Sequence, residues 1–380
     1  MIITNGTVFS EDGEFTKVDI EVQSGVITAL GEKLPQSGHE INNAEGQYVI
    51  PGLVDIHTHG AMGADFSDGT IEAIETIAKH QLSHGVTSFL GTTMSLPDEL
   101  QTNACKVAAP MINNNYPDRA VIRGIHLEGP FFSQEKRGAQ NPEFIIPADI
   151  NMLNRWNEAS GDAVRLIAVA PEVEGNIEFI KEAALICTVS LAHSTAGYET
   201  ALDGFKNGAT HVTHLYNGMN GFNHREPGII GAAFDSDVYV ELIGDGVHLH
   251  PTMVRAMFEL FDEDRICIIS DSMCATGLSD GVYELGGLRV TVVGKHATID
   301  SGSLAGSVSS LTDCMRNAVE FGVPLRKAVK AVTINPAKSV GIDAEVGSIT
   351  IGKRADILVL NKNLSLKQII FGGDRYNNDK

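Results

Sequence analysis

The stretch "DIHTHG" sets His57 and His59 one residue apart at the end of the apolar run "VIPGLVDI". Alternate side chains of a strand project to the same face, so an extended backbone here aims both imidazoles one way. Imidazole is a common ligand for zinc and iron. A polar strand end meeting solvent is the competing reading, and an isolated H-x-H does not choose between them. The rest of the chain does.

Other apolar runs also end in histidines and carboxylates. They are His126 and Glu128 in "VIRGIHLEGP", His193 in "CTVSLAHS", His214 in "HVTHLYNGM", Asp245 and His248 in "VYVELIGDGVHLH", and Asp271 in "ICIISDSM". A single histidine at a strand end is more often a hydrogen-bonded rim residue than a ligand, and a single aspartate there usually caps the next helix. Repetition of the pattern at separate strand ends favours a metal site instead. Nitrogen and carboxylate ligands without thiolates suit Zn²⁺, Fe²⁺, Mn²⁺ or Co²⁺. Such an ion lowers the pKa of bound water and polarises a carbonyl. A carboxylate beside that water acts as base and then as acid, and Asp271 is placed for the task. This chemistry is metal-assisted hydrolysis of an amide or ester. His126 shares the facing of Glu128 and is read as lying behind it, and His211 precedes the better candidate His214. His39, His80 and His84 are read as surface residues, and His250 as the start of a helix before Pro251.

These residues need strands whose ends meet. Apolar runs predict strands at about 52–58, 87–93, 121–128, 164–170, 187–193, 211–216, 238–244 and 266–271. Helical periodicity falls between them at about 70–84, 97–112, 176–184, 197–207, 251–261 and 309–321. The alternation predicts an α/β chain with a (β/α)8 barrel of the TIM type, where all carboxyl ends open on one face. Both ends of the chain read as short β segments: "MIITNGTVFS", "KVDIEVQSGVITAL" and "GQYVIPG" at the start, "GSITIGKRADILVL" and "IIFGG" at the finish. Asn5-Gly6 is a hairpin-type turn pair. The expected organisation is a barrel over 51–344, with a small β-sandwich domain completed by residues 1–50 and 345–380.

At 380 residues the chain exceeds one ordinary domain. Apolar residues at 43% and charged residues at 20% are ordinary for a globular enzyme. A formal charge of −20 argues against nucleic acid or an anionic membrane as partner, but a local basic pocket can still hold a small anion. No stretch approaches the roughly 20 apolar residues of a membrane span, and "MIITNGTVFS" lacks the form of a signal peptide. A cytoplasmic location is expected. The five cysteines are scattered and never spaced C-x-x-C, so buried thiols are expected rather than a disulfide framework or zinc knuckle.

"PGLVDIHTHG", the β segments at both ends and "SDSM" together resemble the amidohydrolase superfamily. More narrowly, "HLEGPF", "LAHSTA", "THLYNGMN", "HREPG", "DGVHL" and "GSLAGS", in that order, resemble its N-acetylglucosamine-6-phosphate deacetylases. The strand-four run "RLIAVAPE" has no lysine, whereas many dinuclear amidohydrolases bridge their metals with a carboxylated lysine there. Glu128 matches the carboxylate that the deacetylases use instead. The resemblance implies a metal held by Glu128, His193 and His214, with Asp271 as acid/base and His248 stabilising charge on the acetamide oxygen. It implies Arg225, with His224 beside it, on the 6-phosphate, and substrate contacts from Ala139, Gln140, Asn217, Gly218, Leu304, Ala305 and Gly306. Some members have His where this chain has Gln140. Some lack the first histidine pair and use one metal; here His57 and His59 make a second ion chemically reasonable, shared through Glu128 and Asp271. The implied reaction converts N-acetyl-D-glucosamine 6-phosphate to glucosamine 6-phosphate and acetate, with one or two divalent ions per chain, in a homodimer. Hydrolysis of another N-acyl compound, such as an N-acetyl amino acid, is the alternative. A catalytically dead scaffold would have lost ligands or the strand-eight aspartate, and this chain has lost neither.

Overall fold

A computed structural model describes residues 1–377. Eight parallel strands make its centre: β1 Leu53–Thr58, β2 Val86–Thr93, β3 Val121–Glu128, β4 Val164–Val169, β5 Thr188–Leu191, β6 Ala209–Val212, β7 Tyr239–Ile243 and β8 Ile266–Ile269. Each pairs with its sequence neighbour. Beyond the last strand, Thr58 bridges Ser272, and Asp271 N–H donates to the His57 carbonyl at 3.0 Å, which brings β1 and β8 together. The barrel is therefore nearly closed. Strands buried on both faces are largely apolar, and Val54, Ile56, Leu90, Leu166, Ile243 and Ile269 fill the inside.

Helices cover the outside by presenting one apolar stripe each. In Ile71–Ser83, Thr70 caps the amino end by accepting from Ala73 N–H, and Ile74, Ile77 and Ala78 face inward. That stripe continues to His80, which is buried, and His84 is half-buried against it with ring centroids 4.2 Å apart. The expectation that both lie on the surface is corrected: positions 77, 80 and 84 share the helix face that packs on the barrel. His250 is the N-cap of Pro251–Leu260, as expected.

The chain ends form two further sheets. One contains Ile2–Thr4, Asp19–Gln23, Val26–Gly31 and Ile41–Asn43; the other joins Thr7–Phe9, Phe15–Thr16 and Tyr48–Pro51 to Ile357–Leu360, Leu366–Phe371 and Asp374–Tyr376. Ile357–Leu360 pairs antiparallel with Tyr48–Pro51, so the carboxyl end completes a sheet begun by the amino end. Ile3, Ile20, Val49, Ile357 and Ile370 share one buried cluster. Asn5-Gly6 does not make a hairpin. Ile2–Thr4 pairs in the first sheet and Thr7–Phe9 in the second, so Asn5, at φ 62°, carries the chain from sheet to sheet.

An antiparallel sheet of Gly281–Leu285, Leu288–Val293 and His296–Ile299 was not anticipated. It follows β8, and Leu285 reaches the barrel mouth. Helix Ile150–Ala159 was also missed. Four cysteines are buried and the fifth, Cys187, is half-buried, all as free thiols. Among the described residues no helix is long and apolar enough to cross a membrane.

Candidate metal centre

β5 and β6 stop earlier than their apolar runs suggest, and the reason lies in the site. His193 and His214, two residues past the ends of these strands, adopt positive φ of 43° and 30°, and Asp271, two residues past β8, adopts 47°. A non-glycine residue in the left-handed region breaks the alternation of a strand and re-aims its side chain. All three side chains thereby turn into the mouth. His57 needs no such turn because it lies within extended β1, and His59 follows that strand directly.

The side chains converge on Glu128. Its Oε1 lies 3.1 Å from His193 Nε2 and 3.0 Å from His214 Nε2, and those two nitrogens are 3.1 Å apart. Its Oε2 lies 3.3 Å from His59 Nε2. His59 Nε2 is 3.3 Å from His57 Nε2, and Asp271 Oδ1 is 3.3 Å from His59 Nε2 and 3.5 Å from His57 Nε2. Every one of these residues is buried. Facing imidazole nitrogens can share only one proton per contact, whereas a cation between them satisfies every lone pair. The donor set of imidazoles and carboxylates fits divalent metal ions, with Glu128 between a His193/His214 group and a His57/His59 group.

Electrostatics follow from this crowding. Burial alone would raise the Glu128 pKa, but hydrogen bonds with His193, His214 and His59 hold it well below the ordinary carboxylate range. Burial also opposes ionisation of Asp271, and the His57 charge with the His59 hydrogen bond outweighs it, so the carboxyl is lowered. Burial presses the His57 and His59 pKa values down, yet the surrounding acids raise both, His57 to about 9. His126 sits beneath His57, ring centroids 4.6 Å apart, with Nδ1 toward the Ile56 carbonyl; burial, then the His57 charge, lowers its pKa to about 3. It is a neutral support behind the site, as expected.

A cavity of about 370 Å³ opens over these groups, within the range of roughly 300–1,000 Å³ usual for small-molecule sites. His248 lines it, its Nδ1 held 2.7 Å from Asp245 Oδ2. The chain matches the Amidohydrolase family over residues 48–378. The chain belongs to the amidohydrolase family. Among curated amidohydrolase relatives, the N-acetylglucosamine-6-phosphate deacetylase of Bacillus subtilis is 36% identical, covering 98% of this chain and 93% of its own. The N-acetylgalactosamine-6-phosphate deacetylase of Escherichia coli O157:H7 is 34% identical, covering 96% of each. A solved mutant N-acetyl-D-glucosamine-6-phosphate deacetylase of Mycobacterium smegmatis, in complex with N-acetyl-D-glucosamine-6-phosphate, superposes with a TM-score of 0.93 at 30% identity over 99% of both chains.

Of the residues anticipated from sequence, His59, Glu128, Ala139, Gln140, His193, His214, Asn217, Gly218, His248, Asp271, Leu304 and Gly306 line the cavity of this amidohydrolase. His57 lies just below its floor, and Ala305 is buried in the packing beneath the three-stranded sheet. Gln140 has a second duty: its Nε2 donates to Glu128 Oε2 at 2.7 Å while its Oε1 accepts from Ser95 N–H. His224 and Arg225 are not brought to the cavity. Both are exposed, and Arg225 lines a separate depression with Thr195, Tyr198 and Asp235. Lys136 is the sole lysine or arginine lining the cavity among the described residues. Sequence reading missed Glu241, fully buried in β7 and 3.0 Å from His57 Nδ1. Burial resists its charge, but His57 and His211 hold its pKa well below the ordinary range. The signal was present, as a lone acid inside the apolar run "VYVELI".

Proposed function

We propose that this amidohydrolase removes the acetyl group of N-acetyl-D-glucosamine 6-phosphate, giving D-glucosamine 6-phosphate and acetate in amino-sugar catabolism. The observation that carries this reading is the meeting of Glu128, His193, His214, Asp271 and His248 in one buried mouth, in a chain that runs nearly end to end with deacetylases of that name. Glu128, His193 and His214 would hold one divalent ion, and His57 and His59, with Glu128 and Asp271, would hold a second; zinc, iron, manganese or cobalt there would supply Lewis acidity toward water and the acetamide carbonyl.

Asp271, ionised at neutral pH, takes the proton of the attacking water and then delivers it to the leaving nitrogen, since an amine departs poorly unless protonated. Its backbone is anchored on both sides, by its N–H to the His57 carbonyl and by its carbonyl to Ser307 N–H at 2.7 Å. His248, steadied by Asp245, donates from Nε2 to the developing oxyanion. Ala139, Gln140, Asn217, Gly218 and the Leu304–Gly306 segment enclose the sugar. Arg225, with His224, binds the phosphate, a guanidinium being suited to phosphate geometry. Since both lie outside the cavity of their own chain, the phosphate loop works near the contact of a homodimer. The two terminal sheets with their common core form a β-sandwich beside the barrel, over 1–50 and the part of 345–380 that lies within the described residues, 378–380 lying outside them, and the enzyme is cytoplasmic.

The test is a panel on purified, metal-loaded enzyme: N-acetylglucosamine 6-phosphate, its galacto epimer, unphosphorylated N-acetylglucosamine and an N-acetyl amino acid. The expected result is the highest kcat/KM on N-acetylglucosamine 6-phosphate. A preference for the galacto epimer would move the substrate to that sugar, and a preference for the amino acid would overturn the sugar reading altogether.

A further inference from the structure

Glu241 lies midway along β7 and is fully buried. Its Oε2 accepts from His57 Nδ1 at 3.0 Å and from the backbone N–H of His214 at 3.2 Å, while its Oε1 is 3.2 Å from His211 Nε2. An ionised carboxylate only accepts hydrogen bonds, so the His57 proton sits on Nδ1. In the neutral ring that would ligate a metal, the lone pair is then on Nε2, the atom that faces His59, Asp271 and Glu128.

The other rings are backed differently. His59 Nδ1 faces the Thr92 carbonyl at 3.3 Å, and His193 Nδ1 faces the Lys136 carbonyl at 2.8 Å. Both acceptors are neutral. His57 is backed by a charge, which fixes the ring and raises the basicity of its outward nitrogen. A carboxylate with 0% exposure, met by imidazoles and one backbone N–H, is costly to keep for packing alone.

We propose that Glu241 is the positioning residue that builds the His57/His59 metal position, and so decides whether the enzyme holds two ions or one. This rests on the two-ion reading above. Because Oε2 also holds the His214 backbone, the same carboxylate ties the two positions mechanically, but only His57 takes its proton arrangement from it.

Glu241→Gln is isosteric and removes the charge without emptying the space. Wild type, Glu241→Gln and His211→Asn are titrated with Co²⁺ from the metal-free state, following stoichiometry and the visible cobalt absorbance, with circular dichroism to confirm folding. His211→Asn touches the other carboxylate oxygen and leaves the His57 contact in place. The expected result is two ions for wild type and His211→Asn, and for Glu241→Gln a second-ion affinity lowered about 10–100-fold, with the first ion unchanged and the absorbance of one site lost. Two ions bound to Glu241→Gln with wild-type affinities would overturn the proposal while leaving the two-ion reading standing. An equal second-ion loss in His211→Asn would also overturn it, by making the effect a general disturbance of the buried layer. One ion in wild type would bring down the two-ion reading and the proposal together.

Discussion

His57 and His59 reach the mouth from one extended strand, whereas His193, His214 and Asp271 reach it from three strand ends turned into the left-handed region. The first pair is aimed by strand periodicity and needs no unusual backbone. The second set carries backbone strain on the order of 1–3 kcal/mol per residue, offset by local hydrogen bonds. Ser133 N–H donates to the His193 carbonyl, Asn217 N–H to that of His214, and Ser307 N–H to that of Asp271. Strain of this kind persists where surrounding structure over-determines the conformation, and here it places the groups assigned to the reaction itself. On this reading the half for which the fold keeps a costly geometry is the one expected to be indispensable.

The largest effect is therefore expected from the strained half. His193→Asn takes away a ligand nitrogen 3.1 Å from Glu128 Oε1, and turnover should fall to background with loss of the ion held there, read by metal analysis alongside kinetics. Asp271→Asn should keep the ion held by Glu128, His193 and His214 and still bind the phosphorylated sugar by calorimetry, but lose about 10²–10⁴-fold in kcat. Near-normal turnover would remove Asp271 from the proton transfer. The His57→Asn, His59→Asn double variant should bind about one ion fewer per chain under saturating metal yet retain partial activity. If that double variant were as inactive as His193→Asn, the contrast between the halves would be broken.

Arg225 extends the comparison to the exposed loop. Arg225→Ala should weaken the phosphorylated sugar by roughly 1.5–3 kcal/mol, about ten- to a hundredfold in KM, with little change on the unphosphorylated sugar. Equal losses on both substrates would give the loop a structural part only.

How much of this was legible follows from the range of the interactions. The eight barrel strands stood out because strands buried on both faces are predominantly apolar, and "DIHTHG" stood out because its geometry is local. Glu128, His193, His214 and Asp271 were legible as strand ends, but the left-handed turns at the last three were not, since the bonds that hold His193 and Asp271 come from the distant Ser133 and Ser307 and the His214 N–H is held by Glu241 on the next strand. Glu241 escaped although a lone acid in an apolar strand is a clear anomaly: its partner His57 is 184 residues away, so nothing local explains it. The three-stranded sheet carried a readable sign in Gly286-Gly287, which joins its first two strands with φ of 56° and 79°, the backbone a tight hairpin turn requires. Asn5-Gly6 carried a similar sign and misled, because a turn pair reports a local reversal and not which sheet each strand joins.

The smallest effect separates the charge of His248 from its position. Burial pushes its pKa down, but the Asp245 hydrogen bond and charge outweigh that and, with Asp271, hold it above the ordinary value. Asp245 Oδ2 accepts a hydrogen bond from Nδ1–H, so only the protonated ring also carries an N–H at Nε2 for the oxyanion. The competent form is thus the protonated one, which prevails below the raised pKa, and kcat/KM should decline as pH rises through it. Asp245→Asn removes the charge that holds the proton, lowers that pKa and moves the alkaline limb to lower pH. On the acid side of the limb, variant and wild type should converge, and at neutral pH the loss should stay well under the ~10²-fold expected at Asp271. Paired kcat/KM–pH profiles measure this. An unmoved alkaline limb would assign that limb to another group and leave Asp245 as a tie for the loop, where its Oδ1 accepts from the Val247 and His248 backbone N–H groups.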